Sequence, residues 1–278
     1  MKKENFAIEF LYETFLGRII LKFITRPVFS KFISKYLNSY FSKWIIGIYI
    51  KKYRISLDDY EQRSCQSFNS FFILRKKKAD IDITPNRLIS PCDGYLSAYK
   101  IDQGLSFTVK RAEYSVGSLL NDKAAAQRYS GGICLVFRLA PYNYHRYIFI
   151  DKGFVRKNVS IRGILHCVRP IAYENFPVYL QNSREYSIIK SENFGDFIQM
   201  EVGALLVGKI RNYSYIKCVS RGMEKGYFEF GGSTIILIFE KDKAALYDEI
   251  IRNSEKGIET PVKLGQKIGY SVIAENRF

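Results

Sequence analysis

From Leu88 onward the chain is written in short apolar or alternating runs cut by glycine, and that pattern restricts the fold more than any other feature. The runs are Tyr95 to Ile101, Ile133 to Ala140, Phe154 to Ile161, Tyr186 to Lys190, Phe197 to Val202, Leu205 to Ile210 and Tyr227 to Phe230, with a further apolar run from Ile235 to Phe239. Runs this short, with turn residues between them, have the length of strands rather than of helices. They predict a mainly antiparallel β core, barrel-like or sandwich-like. A last helix is expected over Ala244 to Ser254, then a glycine-marked, hairpin-like tail from Val262 to Gly269.

Upstream of residue 80 the period is helical. Asn5 to Thr25 reads as one helix, acidic early (Glu9, Glu13) and basic late (Arg18, Lys22), an order that suits the helix dipole, and Pro27 ends it. A second helix carries Phe29, Phe32, Ile33, Tyr36, Leu37, Tyr40, Phe41, Trp44, Ile45 and Ile48 at three- and four-residue steps. Ser56-Leu57-Asp58-Asp59 has the form of a capping box for a third. The fold class is therefore α+β, with 1–80 a helical region and 81–278 a β-rich core.

The charge is uneven. Of a net +16, residues 1–78 hold +10, from 16 Lys/Arg against 6 Asp/Glu. Basic character on an amphipathic, aromatic-rich segment predicts attraction to an anionic membrane surface, with the helices lying in the headgroup plane; the plain alternative is a helix pair packed on the protein's own core. No run approaches the roughly 18 uncharged apolar residues of a membrane span. The charge also admits nucleic-acid binding, but no reading motif is present, and nucleic acid is not the expected partner. Glu4, Glu9 and Glu13 interrupt what a secretory signal needs. Five scattered cysteines without a C-x-x-C pair, and only two histidines, argue against a disulfide framework and a zinc site and for a reducing, cytoplasmic-side setting.

Gly231-Gly232-Ser233-Thr234 runs straight into the Ile235 to Phe239 segment. Two glycines place the Ser233 hydroxyl after an uncrowded carbonyl, and a buried strand holds that serine still. Such a serine can attack its own preceding peptide bond; the plain alternative is a two-glycine turn. Asp93, in the turn Ser90-Pro91-Cys92-Asp93-Gly94, is a candidate base or orienting acid. His145, in Tyr144-His145-Arg146, is a candidate for proton transfer, and His166, between Leu165 and Cys167, reads first as a packing residue. Asp93, His145 and Ser233 make a possible nucleophile-activating set.

Those motifs, with Asn182 to Ile188, Glu201-Val202-Gly203-Ala204, Val207-Gly208 and Glu224 to Thr234, together resemble the pyruvoyl-dependent phosphatidylserine decarboxylases from about Phe68 to Gly269. The resemblance implies a proenzyme that cuts itself between Gly232 and Ser233 into pieces of 232 and 46 residues, a heterodimer that dimerises further in some arrangements. It implies a covalent pyruvoyl group made from Ser233, which forms a Schiff base with phosphatidylserine and accepts the electrons released with carbon dioxide, yielding phosphatidylethanolamine. No metal and no diffusible cofactor are then needed. It further implies that Asp93 and His145 assist cleavage, that His145 protonates the product carbanion, and that the enzyme lies peripherally on the cytoplasmic face of the cell membrane.

One position departs from the family pattern, Tyr-His-Arg-x-His: the second histidine is replaced by Ile148. The expectations this opens are proton transfer by His145 alone, substitution by His166, or a poorly processed, non-catalytic lipid-binding relative. Gly231, the second glycine before the serine, stands where many relatives have leucine, a mild variation.

Overall fold

The computed structural model describes residues 6–272 apart from 62–63, 110–111, 206–208 and 214. At its centre an antiparallel sheet of eight strands runs in the order Cys218–Val219, Gly153–Ile161, Arg184–Ser191, Gly195–Val202, Ser233–Phe239, Ile133–Leu139, Gly94–Lys100, Thr260–Val262. The sheet is open, so the core is sandwich-like and no barrel closes. Its inner strand Ser233–Phe239 pairs Ser233 with Leu139 and Thr234 with Val202, and every residue of it is buried. An uninterrupted apolar run fits that place, because both faces are covered; each such side chain contributes roughly 1.5–3 kcal/mol on burial.

A three-stranded sheet, Ile210–Asn212, Glu224–Phe228 and Arg146–Ile148, lies beside it in sequence and carries the site loops. A third joins Arg87–Ile89, Lys267–Ser271 and Ala244–Leu246, and Ser106–Val109 pairs with Ala112–Ser115. The expected tail hairpin does not form, since Thr260–Val262 pairs with Gly94–Lys100 and Lys267–Ser271 with Arg87–Ile89. The expected helix over Ala244 to Ser254 begins later, at Asp248–Glu255, because Ala244–Leu246 is a strand. Half of the expected strand from Leu205 to Ile210, residues 206–208 with Val207-Gly208, lies outside the described residues, and the strand that is described begins only at Ile210.

The helical region is more broken than its periodicity suggests. The first expected helix, whose start at Asn5 lies outside the described residues, is two helices, α1 (Phe6–Glu13) and α2 (Phe15–Ile24). Thr14 turns extended and its hydroxyl accepts the Gly17 N–H at 3.0 Å, and the corner is so tight that a Cβ on Gly17 would lie 1.9 Å from the Phe10 carbonyl oxygen. The second is α3 (Pro27–Leu37), a 3₁₀ turn Tyr40–Ser42, and α4 (Trp44–Tyr53). Ser42 makes that break: its hydroxyl donates to the Leu37 and Ser39 carbonyls and accepts from the Phe68 N–H. Ser56 builds a turn with Asp58 instead of a helix, and the true capping box is Ser67 with Ser70, opening α5 (Phe68–Phe72).

Candidate active site

Residues 229–232 link the small sheet to the central one, and Ser233 is the first residue of the central strand. Gly231 holds φ at 143°, a conformation that favours glycine. Gly232 is under no such demand. A Cβ at that position would meet Val168 Cγ2 at 3.4 Å. The Ser233 hydroxyl is fully buried and has no hydrogen-bond partner, nor has that of Thr234. An unpaired hydroxyl in a core costs roughly 1–3 kcal/mol, an arrangement native proteins keep mainly where the group has work to do.

His145 is brought to the same place by the Arg146–Ile148 strand. Its carbonyl accepts the Phe228 N–H at 3.0 Å, and Arg146 stands opposite Tyr227 in the ladder. The ring is 1% exposed and packs 4.4 Å, centroid to centroid, from Phe72 of α5. Burial holds its pKa down at about 4, against smaller raising effects from the Asn143 and Gly231 backbone and from the Asp93 charge. The imidazole is therefore neutral at physiological pH. Its Nδ1 lies 2.7 Å from the Asn143 carbonyl, which can only accept, so Nδ1 carries the proton and Nε2 a free lone pair. That Nε2 is buried and has no partner. His145 Nε2 and Ser233 Oγ are thus both buried without a hydrogen-bond partner, and the His145 ring feels the backbone of Gly231, two residues before the serine.

Asp93 is close enough to act on His145 through its charge, but makes no hydrogen bond to it. One carboxylate oxygen accepts the Leu264 N–H at 2.8 Å and the other takes Lys76 Nζ at 3.2 Å. The orienting bond expected from Asp93 is supplied instead by Asn143, two residues from the histidine and legible as a turn residue only. Ile148 is buried; its N–H donates to the Pro91 carbonyl at 3.0 Å, and its carbonyl accepts Gln199 Nε2 at 3.2 Å. Position 148 therefore abuts the turn that carries Asp93.

His166 is held elsewhere. Its Nδ1 is 3.3 Å from the Tyr12 hydroxyl and its ring stacks on Phe176 at 4.6 Å. Burial lowers its pKa too. No contact joins it to Ser233, although its loop neighbour Val168 covers Gly232. Among the described residues no group of three or more His, Cys, Asp or Glu is arranged to hold a metal ion, and none of the five cysteines is in a disulfide.

Sequence reasoning missed Asn69, whose side chain reaches the backbone of Phe230. It also missed the aromatic roof, in which Phe230 stacks edge-on with Phe68, Phe72 and Tyr49 at 4.8, 5.1 and 6.2 Å. Its only sequence signal was the aromatic density of Phe68 to Phe72.

The family model described as phosphatidylserine decarboxylase matches residues 68–270. A relative named phosphatidylserine decarboxylase proenzyme 2, from Clostridium acetobutylicum, is 45% identical over 96% of this chain and 92% of its own length. Phosphatidylserine decarboxylase proenzymes of Clostridium novyi and Clostridium botulinum are 41% and 38% identical, over 94% and 98% of this chain and 92% and 96% of theirs. With the motifs, the buried serine and the matched length in agreement, this chain belongs to the phosphatidylserine decarboxylase family.

Proposed function

We propose that this protein is a self-cleaving phosphatidylserine decarboxylase that makes phosphatidylethanolamine, with Ser233 the source of its pyruvoyl group. The observation that carries the reading is the pair of unpartnered, buried atoms, Ser233 Oγ directly after the Gly231-Gly232 link and His145 Nε2 on a ring that the Gly231 backbone acts on, in a member of this family. Neutral His145 takes the hydroxyl proton, and Ser233 Oγ bonds to the Gly232 carbonyl carbon as the peptide C–N bond breaks, leaving an ester and a free amine. Loss of the Ser233 α-proton expels Gly232 as a carboxylate and leaves a dehydroalanine. Water then converts this to the pyruvoyl group with release of ammonia. The residues present fit that group, because a dry pocket with an unpaired hydroxyl at the strand end is where it forms.

Once formed, the group supplies an electron sink for loss of carbon dioxide from an amino acid. This chain's part is to keep water out through Phe72 and Phe230, to keep His145 neutral by burial, and to let its Nε2 take up a proton and hand it back. Asp93, fixed by Leu264 and Lys76, contributes negative charge near the imidazole. The two pieces, 1–232 and 233–278, stay together as a heterodimer, because the new N-terminus opens a strand paired on both sides.

The helical region, residues 1–80, is read as a membrane-lying unit set on the β core of 81–278. Among the described residues, 12 of the 20 exposed large apolar side chains lie between Phe15 and Ile48, with Phe32, Phe41 and Trp44 exposed by 71%, 77% and 63%. Exposure on that scale, in a segment that also carries Lys31, Lys35 and Lys43, suits an anionic lipid surface at the cytoplasmic face of the membrane. No helix among the described residues is long and apolar enough to cross a bilayer. Intact-mass measurement after expression tests the reading: two pieces of 232 and 46 residues, the smaller with a blocked, hydroxylamine-sensitive N-terminus, are expected. A single uncut chain without decarboxylase activity would favour a non-catalytic lipid-binding relative.

A further inference from the structure

Self-cleavage needs the Gly232 carbonyl carbon to stay within reach of Ser233 Oγ, yet the link that carries it contains two glycines, the residues with the most backbone freedom to lose. Downstream the chain is locked by the central strand. Upstream the ladder of Glu224–Phe228 stops short of the link, and side chains and a loop take over. The Glu229 N–H donates to the Lys209 carbonyl at 3.0 Å, and the Glu229 carboxylate accepts Arg211 Nε at 2.8 Å and the Ser34 hydroxyl at 3.2 Å. The Phe230 N–H, the last backbone donor before Gly231, goes to Asn69 Oδ1 at 3.1 Å. Asn69 is 4% exposed, and its Nδ2 donates to Asn38 Oδ1 at 3.0 Å, which fixes which way the amide faces. Asn38 in turn donates to the Ser34 carbonyl of α3 at 2.8 Å.

We propose that Asn69 is a positioning residue for self-cleavage: by accepting from Phe230 N–H, while Asn38 sets the orientation of its amide, it fixes the upstream end of the glycine link so that the Gly232 carbonyl stays at the Ser233 hydroxyl. This rests on the self-cleaving reading above. The consequence is that α3, part of the helical region, is tied through two asparagines to the scissile segment, and cleavage geometry depends on that helix being docked.

The test is the rate at which the 46-residue piece appears by mass spectrometry during cell-free synthesis of the full chain. Asn69→Leu keeps the volume and removes both the acceptor for Phe230 and the donor to Asn38, whereas Asn69→Asp keeps the acceptor oxygen and loses only the donor. Cleavage at least about tenfold slower in Asn69→Leu, and clearly less slowed in Asn69→Asp, is expected, in line with the sensitivity of intramolecular reactions to small misplacements. Melting temperatures of the same variants in a Ser233→Ala background separate positioning from lost folding. Wild-type speed in Asn69→Leu, or equal slowing in both variants, overturns the proposal. Should Asn69→Leu fail to fold, the exposed Asn38→Ala decides: slower cleavage supports the proposal and an unchanged rate overturns it. An uncut wild-type chain instead sinks the self-cleaving reading, and this proposal with it.

Discussion

The Ser233–Phe239 strand and the segment from Phe15 to Ile48 are both rich in large apolar residues, and they meet opposite fates. The strand is wholly buried between two partners, whereas the helical segment leaves a dozen large apolar side chains open to the surroundings. The strand's burial removes water from a hydroxyl and an imidazole, so there the apolar residues serve chemistry. On the helices the apolar surface is left over after the core is satisfied, and in the proposed reading it serves attachment. Between the two regions lies the aromatic roof, where Tyr49 of α4, Phe68 and Phe72 of α5 and Phe230 share one cluster.

If the division is real, each region should fail separately. Ser233→Ala should abolish both fragment formation and decarboxylation while leaving binding to phosphatidylserine-containing vesicles intact; normal turnover in that variant would break the assignment of chemistry to the strand. Replacing Phe32, Phe41 and Trp44 together by serine should do the converse. Each ring is worth roughly 1.5–3 kcal/mol when buried, so vesicle affinity in a flotation assay should drop by at least about a hundredfold, with the cleavage rate unchanged. A loss of folding in that triple variant would mean the helices pack on the core through this face.

A smaller effect concerns pH. His145 has its pKa lowered from 6.5 to about 4 by burial, so as pH falls the unfolded chain takes up this proton first. Its contribution to stability is complete above about pH 6.5 and is lost as pH falls through about 4. The cleavage rate should accordingly stay level from pH 8 to about 5.5 and fall by half near pH 4, measured by fragment yield. A midpoint near 6.5 would mean the imidazole is solvated. Ile148→His should change least, less than about threefold in cleavage rate, because His145 already offers a neutral, unpaired nitrogen; acceleration beyond about tenfold would show that position 148 limits this chain.

Much of this was legible in the residues. Five of the expected strands form within two residues of where their alternation places them, because a period of two has few physical readings. The helices were legible as amphipathic but not as broken, since the breaks come from Thr14 and Ser42, whose hydroxyls take backbone partners that periodicity does not register. For the site, Ser233, His145 and Asp93 were readable from motifs; Ser233 follows the glycine link, and the Gly231 backbone and the Asp93 charge both act on the His145 ring. Their hydrogen bonds were not readable: Asn143 rather than Asp93 sets the imidazole, and Asn69, 161 residues from Phe230, anchors the link.

The sequence by itself determined the covalent chemistry available, a serine behind two glycines with one histidine in a family motif, and the strand that holds it, because those depend on residues adjacent in the chain. Only the tertiary structure decided which nitrogen of His145 is free, how far its pKa falls and how the glycine link is anchored upstream. Those properties arise from desolvation and hydrogen bonds between groups remote in sequence, and no local pattern encodes them.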